Sequence, residues 1–280
     1  MNDSINPLRK YFRHPEIHLR LPSGGRFYPD GTITLPPTGE LPIYPMTAVD
    51  EIISRTPDAL FNGSALTSIV ASCAPDIKDP WSIPAMDVSA LLAAIRLASY
   101  GHEMDISTTC PSCFSEQEFS ADLRVVLDTL KAADYSQPLM LGDLSISFMP
   151  LSYKQLNDMN RVNFDDQLML KSISESDLED QDKVAKISEA YKRITMVTVR
   201  SIAASINSIK TSDALVTDID QIYEFLTNCT KANYEAIRNK VVELRASTDF
   251  KPFDMKCQEC GFEYKQEFAL DMSNFFATAS

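Results

Sequence analysis

Two cysteine pairs set the tightest limit on what this chain can fold into. Cys110-Pro111-Ser112-Cys113 and Cys257-Gln258-Glu259-Cys260 are each C-x-x-C, and 143 residues lie between them. Two thiolates at this spacing grip one tetrahedral zinc ion while the amides of the turn point at the sulfurs, and a second such pair fills the other two positions. The pattern therefore predicts a chain that doubles back and pins its C-terminal part onto its middle. The contexts match as well. Gln117-Glu118-Phe119-Ser120-Ala121-Asp122-Leu123 follows the first pair, and Gln266-Glu267-Phe268-Ala269-Leu270-Asp271-Met272 follows the second. Each half is predicted as a strand, a knuckle, a return strand and a helix-like exit. The candidate ligands are Cys110, Cys113, Cys257 and Cys260, and the implied cofactor is a structural zinc ion. With four thiolates bound, no open position remains to activate water, so the ion would staple the chain and not catalyse. Two other uses of the pairs stay open, as ordinary thiols or as a redox dithiol. The second is the weaker, because no βαβ pattern surrounds either pair.

Charge narrows the partners. Acidic residues outnumber basic ones 39 to 26, a formal net charge of −13, which repels nucleic acid and anionic membrane surfaces. Neither is expected as a partner. No run of 18 apolar residues occurs, and the first twenty residues lack the apolar stretch of a signal peptide. The expectation is a soluble protein of a reducing cytoplasm, where six cysteines are thiols or metal ligands and not disulfides. Cys73 and Cys229, outside the pairs, are expected as buried thiols on apolar helical faces.

Local signals predict an α+β fold, mainly helical, with a β-rich N-terminal arm and a zinc-ribbon-like element assembled from the two distant knuckles. Four stretches follow: an extended arm over 1–45, a helical region with the first knuckle over 46–135, a hairpin and helical region over 136–248, and the second knuckle over 249–280, packing back on the first. Residues 26–35 read as two short extended segments around the Asp30-Gly31 turn. Thr47 with Asp50 and Ser152 with Gln155 are capping-box patterns that open helices, and Asn62-Gly63-Ser64 restarts one that Pro75 stops. Val88, Leu91, Leu92 and Ile95 share one face of a helix over 87–100. Arg96 lies off that face and is expected at the surface without a specific contact. Helical spacing continues over 123–133, and 139–141 with 144–148 alternate around Gly142-Asp143 as a tight hairpin. The helix opened at Ser152 should fade in the acidic, serine-rich stretch 172–182, an exposed connector. The longest helix then runs from Val184 through Ile206, its C-terminal half buried, and two more follow, one carrying Ile222 and Leu226, the other Ile237, Val241 and Leu244.

The usual catalytic signatures are absent: there is no G-x-x-x-x-G-K-[ST], H-E-x-x-H, G-x-S-x-G or G-x-G-x-x-G. No catalytic residue is assigned and the chain is not expected to be an enzyme. His14 and His18 are split by Pro15 and belong at the surface. His102 sits just past a predicted helix end, outside a shell that four thiolates already complete. Asp165-Asp166 reads as solvated charge at a loop or helix end.

One family resemblance adds to this. Leu21-Pro22-Ser23-Gly24-Gly25, Pro45-Met46-Thr47-Ala48-Val49-Asp50-Glu51-Ile52, Thr56-Pro57-Asp58-Ala59-Leu60-Phe61-Asn62-Gly63, Ser72-Cys73-Ala74-Pro75-Asp76-Ile77-Lys78-Asp79-Pro80 and Ile95-Arg96-Leu97-Ala98-Ser99-Tyr100-Gly101 resemble the baseplate hub protein family of T-even-like contractile-tail bacteriophages. The resemblance covers about the first 120 residues firmly. It implies a structural or assembly protein of the tail baseplate hub, working through contacts with other tail and hub proteins and with the tape-measure protein, in the host cytoplasm during assembly and in the virion tail. Two alternatives accompany it. One is a transient assembly chaperone of the hub or tape-measure protein, absent from the virion. The other is a zinc-ribbon nucleic-acid-binding module, against which stand Glu116, Glu118 and Asp122 ahead of Arg124.

Overall fold

The structure is a computed structural model and describes residues 6–54, 56, 62–131, 133–175, 180–248 and 250–268. The resembling residues 57–61, the middle of the acidic connector and the predicted second helix-like exit at 269–272 lie outside them. Helices and strands are mixed, and the chain divides into two compact units. One is drawn from Met1–Pro80, Asp87–Leu130 and Asp249–Ser280, the other from Trp81–Met86 and Lys131–Thr248.

In the first unit, β1 (Ile17–Leu19) pairs antiparallel with β2 (Leu41–Ile43), which buries Leu41 and Ile43 completely. The Asp30-Gly31 turn forms, Thr32 N donating to Pro29 O at 3.1 Å with Gly31 at φ +79°. The extended segments predicted around it do not pair with each other. Ile33 instead bridges to Ile77, so this part of the arm is held by longer-range contacts than a hairpin would use. Among the described residues, strand in the arm is limited to those two three-residue pieces.

The first helix, α1 (Ala48–Ser54), starts at a reciprocal cap: Thr47 N donates to Asp50 Oδ2 at 2.7 Å and Asp50 N to Thr47 Oγ1 at 3.2 Å. α2 (Ser64–Cys73) ends two residues before Pro75. α3 (Ala85–Tyr100) is buried on nearly every side between Ala90 and Arg96. Arg96 is 2% exposed, with its guanidinium over the Tyr100 ring at 5.4 Å. The surface position expected for it is therefore wrong, because α3 is wrapped and has no free side at that point.

The arm is tied down by charge. Arg13 Nη2 donates to Ser72 O at 2.9 Å and Ser72 Oγ at 2.7 Å, while its Nη1 reaches Pro45 O at 2.5 Å and Asp50 Oδ2 at 3.3 Å. Asp87, in the first turn of α3, accepts from Ser23 N at 2.8 Å, Ser23 Oγ at 2.5 Å and Tyr28 Oη at 3.0 Å. Of the stretches that carry the resemblance, Arg13 thus ties 45–52 to 72–80, and Asp87 ties 21–25 to α3. Beyond α3, β3 (Glu103–Thr109) and β4 (Glu116–Asp122) form an antiparallel hairpin, and Asp122 caps α4 (Leu123–Thr129) by accepting from Arg124 N at 2.9 Å.

The second unit holds the predicted Gly142-Asp143 hairpin, β5 (Leu139–Leu141) with β6 (Leu144–Phe148), and extends it. β7 (Ile206–Lys210) and β8 (Leu215–Val216) complete an antiparallel sheet in the order β5-β6-β7-β8. Ser152 and Gln155 form the predicted capping box, at 2.8 and 3.3 Å, and open α5 (Tyr153–Glu175). The longest helix, α6 (Asp180–Ala204), stops short of Ile206, and only its last turn is well buried while Met196 is 51% exposed. Ile206 and Ile209 belong to β7 because their backbone pairs with β6, a long-range choice that apolar spacing does not encode.

Asp166 lies within α5, 3% exposed, and Arg193 of α6 grips its Oδ1 at 3.0 and 2.6 Å. The expectation of a solvated pair at 165–166 thus fails for Asp166, which points at the neighbouring helix. α7 (Ile219–Asn228) buries Ile222 and Leu226, and α8 (Lys231–Ala246) buries Ile237, Val241 and Leu244, as their spacing predicts. Cys73 is fully buried at the end of α2; Cys229 caps α7 and is only half-buried, because the helix has already ended there.

Candidate metal centre

Each cysteine pair sits at the turn of a hairpin, β3–β4 for the first pair and β9 (Phe253–Lys256) with β10 (Glu263–Gln266) for the second. The two turns are built alike. Phe114 N donates to Cys110 O at 2.9 Å, and Gly261 N to Cys257 O at 3.0 Å. Cys110 N donates to Ser115 O at 3.0 Å, and Cys257 N to Phe262 O at 2.9 Å. The residue after the second cysteine adopts positive φ in both turns, +61° at Phe114 and +73° at Gly261. This tight turn brings the first and fourth residues of C-x-x-C to one side, where two sulfurs can share one ion.

Both hairpins belong to the first unit, and all four sulfurs lie within 4.8 Å of one another. Across the knuckles, Cys110 Sγ is 3.7 Å from Cys260 Sγ and Cys113 Sγ is 3.6 Å from Cys257 Sγ. A tetrahedron of Zn–S bonds of about 2.3 Å has S–S edges of about 3.8 Å, so the donor set and its spacing fit such an ion. Cys110 and Cys257 are buried and Cys113 and Cys260 exposed. Among the described residues, no other group of three or more His, Cys, Asp or Glu is placed to hold a metal.

The surrounding groups polarise the cluster. The Cys257 thiol is held down to about 6, by the Cys260 amide first and then by the Ser115 hydroxyl. Cys260 moves the other way, to about 12: the Phe262 amide lowers it, but desolvation and the thiols of Cys257, Cys113 and Cys110 outweigh that amide. Cys113 lies below the usual thiol range through the Ser115 hydroxyl. Four sulfurs this close cannot all carry charge against one another, and a divalent cation is what would remove that conflict.

Residues that sequence reasoning did not assign complete the arrangement. Gln117 Nε2 donates to Cys257 Sγ at 3.1 Å while its Oε1 accepts from Gln258 N at 3.3 Å, so one side chain spans both knuckles. Thr108 donates to Gln266 from hairpin to hairpin. Between the two hairpins Phe253 meets Phe119 edge-on at 5.4 Å and Phe268 at 5.6 Å, and Phe268 meets Phe250 at 5.1 Å. The repeated Gln-Glu-Phe was the visible signal for Gln117, Phe119, Gln266 and Phe268; their pairing across the hairpins was not readable from it. His102 stands apart, 3.8 Å from Glu103, and His14 and His18 are exposed.

In the second unit an open apolar groove of about 270 Å³ is lined by Met159, Val162, Val197 and Ile219 among others, with no histidine or cysteine. Its Arg200 is paired with Asp220 at 3.1 Å. Among the described residues, no helix is long and apolar enough to cross a membrane.

One protein-family model, described as T4 bacteriophage base plate protein, matches residues 14–277. That span includes both knuckles. No curated protein and no solved structure matches the chain significantly.

Proposed function

The chain belongs to the T4 bacteriophage base plate protein family, and from that premise we propose that it is a structural subunit of the baseplate hub, acting through contacts with other tail proteins and not through catalysis. The observation that carries the reading is the family match over residues 14–277, nearly the whole length.

Within this role, Cys110, Cys113, Cys257 and Cys260 hold a structural zinc ion in a ribbon built from the two hairpins. Support comes from the sulfur spacing and from the shared turn geometry. The ion supplies a cross-link between distant parts of the chain. Treated as a closed loop of this length, such a link removes about 5 kcal/mol of unfolded-chain entropy at most. Gln117 and Ser115 orient the Cys257 sulfur.

The test is affinity purification from infected cells, with zinc analysis of the pure chain and a search for it in finished virions. Co-purification with hub and tape-measure proteins, together with presence in virions, is the expected result. The same partners without incorporation would make it an assembly chaperone. No tail partner at all would overturn the reading.

A further inference from the structure

The first knuckle carries a residue that its own fold does not ask for. Phe114 holds φ +61°, a region where a side chain other than glycine's is crowded by its own backbone. The second knuckle has Gly261 at the same place in the same turn. The Phe114 ring gains little inside the protein, since the residue is 77% exposed. One position further along the second turn, Phe262 is 46% exposed. Two aromatic rings thus stand in solvent on the two turns that enclose one sulfur cluster.

The two loops, 110–115 and 257–262, carry one charged residue, Glu259, and the returning strands open on Glu116 and Glu263, the latter opposite Lys256. Lys256 lies 3.7 Å from Glu263 and Lys265 4.0 Å from Asp254, so these pairs balance and the net negative charge of the knuckle end rests on Glu116 and Glu259. A zinc ion bound by four thiolates would add a further net charge of about −2 to the same end. A second copy of this chain, itself at −13, a nucleic acid and an anionic membrane would all be repelled by such a surface.

We infer that the knuckle end of the first unit, with Phe114 and Phe262 as apolar anchors inside an acidic rim, docks onto a basic, apolar-pocketed face of another tail protein. Aromatic anchors in a pocket give the affinity of such a contact, and the rim charges guide approach and select the partner. The backbone crowding at Phe114 is kept because the ring is needed outside the chain. This rests on the base plate reading for its setting, the partner being a tail protein.

The test uses full-length chain supplied to a phage lacking its own copy. Phe114→Gly is expected to bind zinc as before and to melt at or above the wild-type temperature, yet to lower the yield of complete tails at least tenfold. Phe262→Ser should lower the yield in the same direction, and so should the double charge reversal Glu116→Lys, Glu259→Lys. In parallel, a photo-crosslinking benzoylphenylalanine placed at 114 should join a lysine- or arginine-flanked site on one tail protein, whereas the same group at exposed Val242 should not. Wild-type tail yield with Phe114→Gly would overturn the inference, as would crosslinking of position 114 to a second copy or to nucleic acid. Tails that form with no copy of the chain at all would sink the base plate reading itself, a distinct result.

Discussion

Asp87 shows how much of the first unit hangs on one side chain. It has no exposed surface and accepts three hydrogen bonds from Ser23 and Tyr28. Asp87→Ala would strand a buried amide and two hydroxyls and lower the melting temperature by about 5–10 °C. Burial pushes its carboxyl up to about 6, against the pull of the Ser23 hydroxyl and amide and the Tyr28 hydroxyl. A carboxyl raised on folding contributes stability in full below its unfolded value near 3.8 and loses it as pH climbs through about 6. Urea midpoints of wild type and Asp87→Asn should therefore converge between pH 4 and 6 and stay parallel above 7. Equal separation across that range would show that Asp87 is ionised on both sides of the folding equilibrium. The sequence marked Ser23 as part of a stretch that carries the family resemblance, but its partner lies 64 positions away, and no local pattern connects them. The same distance hid Gln117, whose sulfur contact is with a cysteine 140 positions on.

At the level of helices and strands, short-range signals were the readable ones. Both capping boxes, the Gly142-Asp143 hairpin and the strand-knuckle-strand halves each depend on residues within a few positions, so their chemistry is local. β7 escaped because its identity comes from pairing with β6, some 60 residues earlier, while its isoleucines continue the apolar character of α6. The link between α5 and α6 escaped for the same reason. There, Asp166 is 4% exposed at its side chain and Arg193 42%, and Asp166 Oδ2 has no partner among the described residues. The two ends of this pair should respond unequally. Arg193→Ala leaves a carboxylate inside with no counterion and should cost about 3 kcal/mol, whereas Asp166→Ala leaves a guanidinium that water can reach and should cost about 1 kcal/mol. Chemical denaturation of both variants checks this, and equal losses would mean that Asp166 is hydrated.

For the molecule as a whole, the approach of the two cysteine pairs was legible from spacing alone, and the four sulfurs lie within 4.8 Å of one another; the division into two units that each use separated stretches of chain was not, since it is set by long-range packing. If zinc holds the hairpins, chelation should raise amide exchange in β9 and β10 at least tenfold and leave the β5-β6-β7-β8 sheet of the second unit as protected as before. Unchanged exchange in β9 and β10 would mean that the phenylalanine cluster alone is sufficient. The separation of the two knuckles also orders events in time. Cys257 follows Cys113 by 144 positions, which at about 5–20 residues per second is a wait of about 7–30 s on the ribosome. If the four cysteines do share an ion, the first pair has through that interval only half a coordination shell, open to any passing thiol or metal, and the clasp shuts only on a chain whose intervening unit has already been made. Such a clasp would thus be a mark that synthesis has passed the second knuckle, and a chain broken off before Cys257 would never carry it.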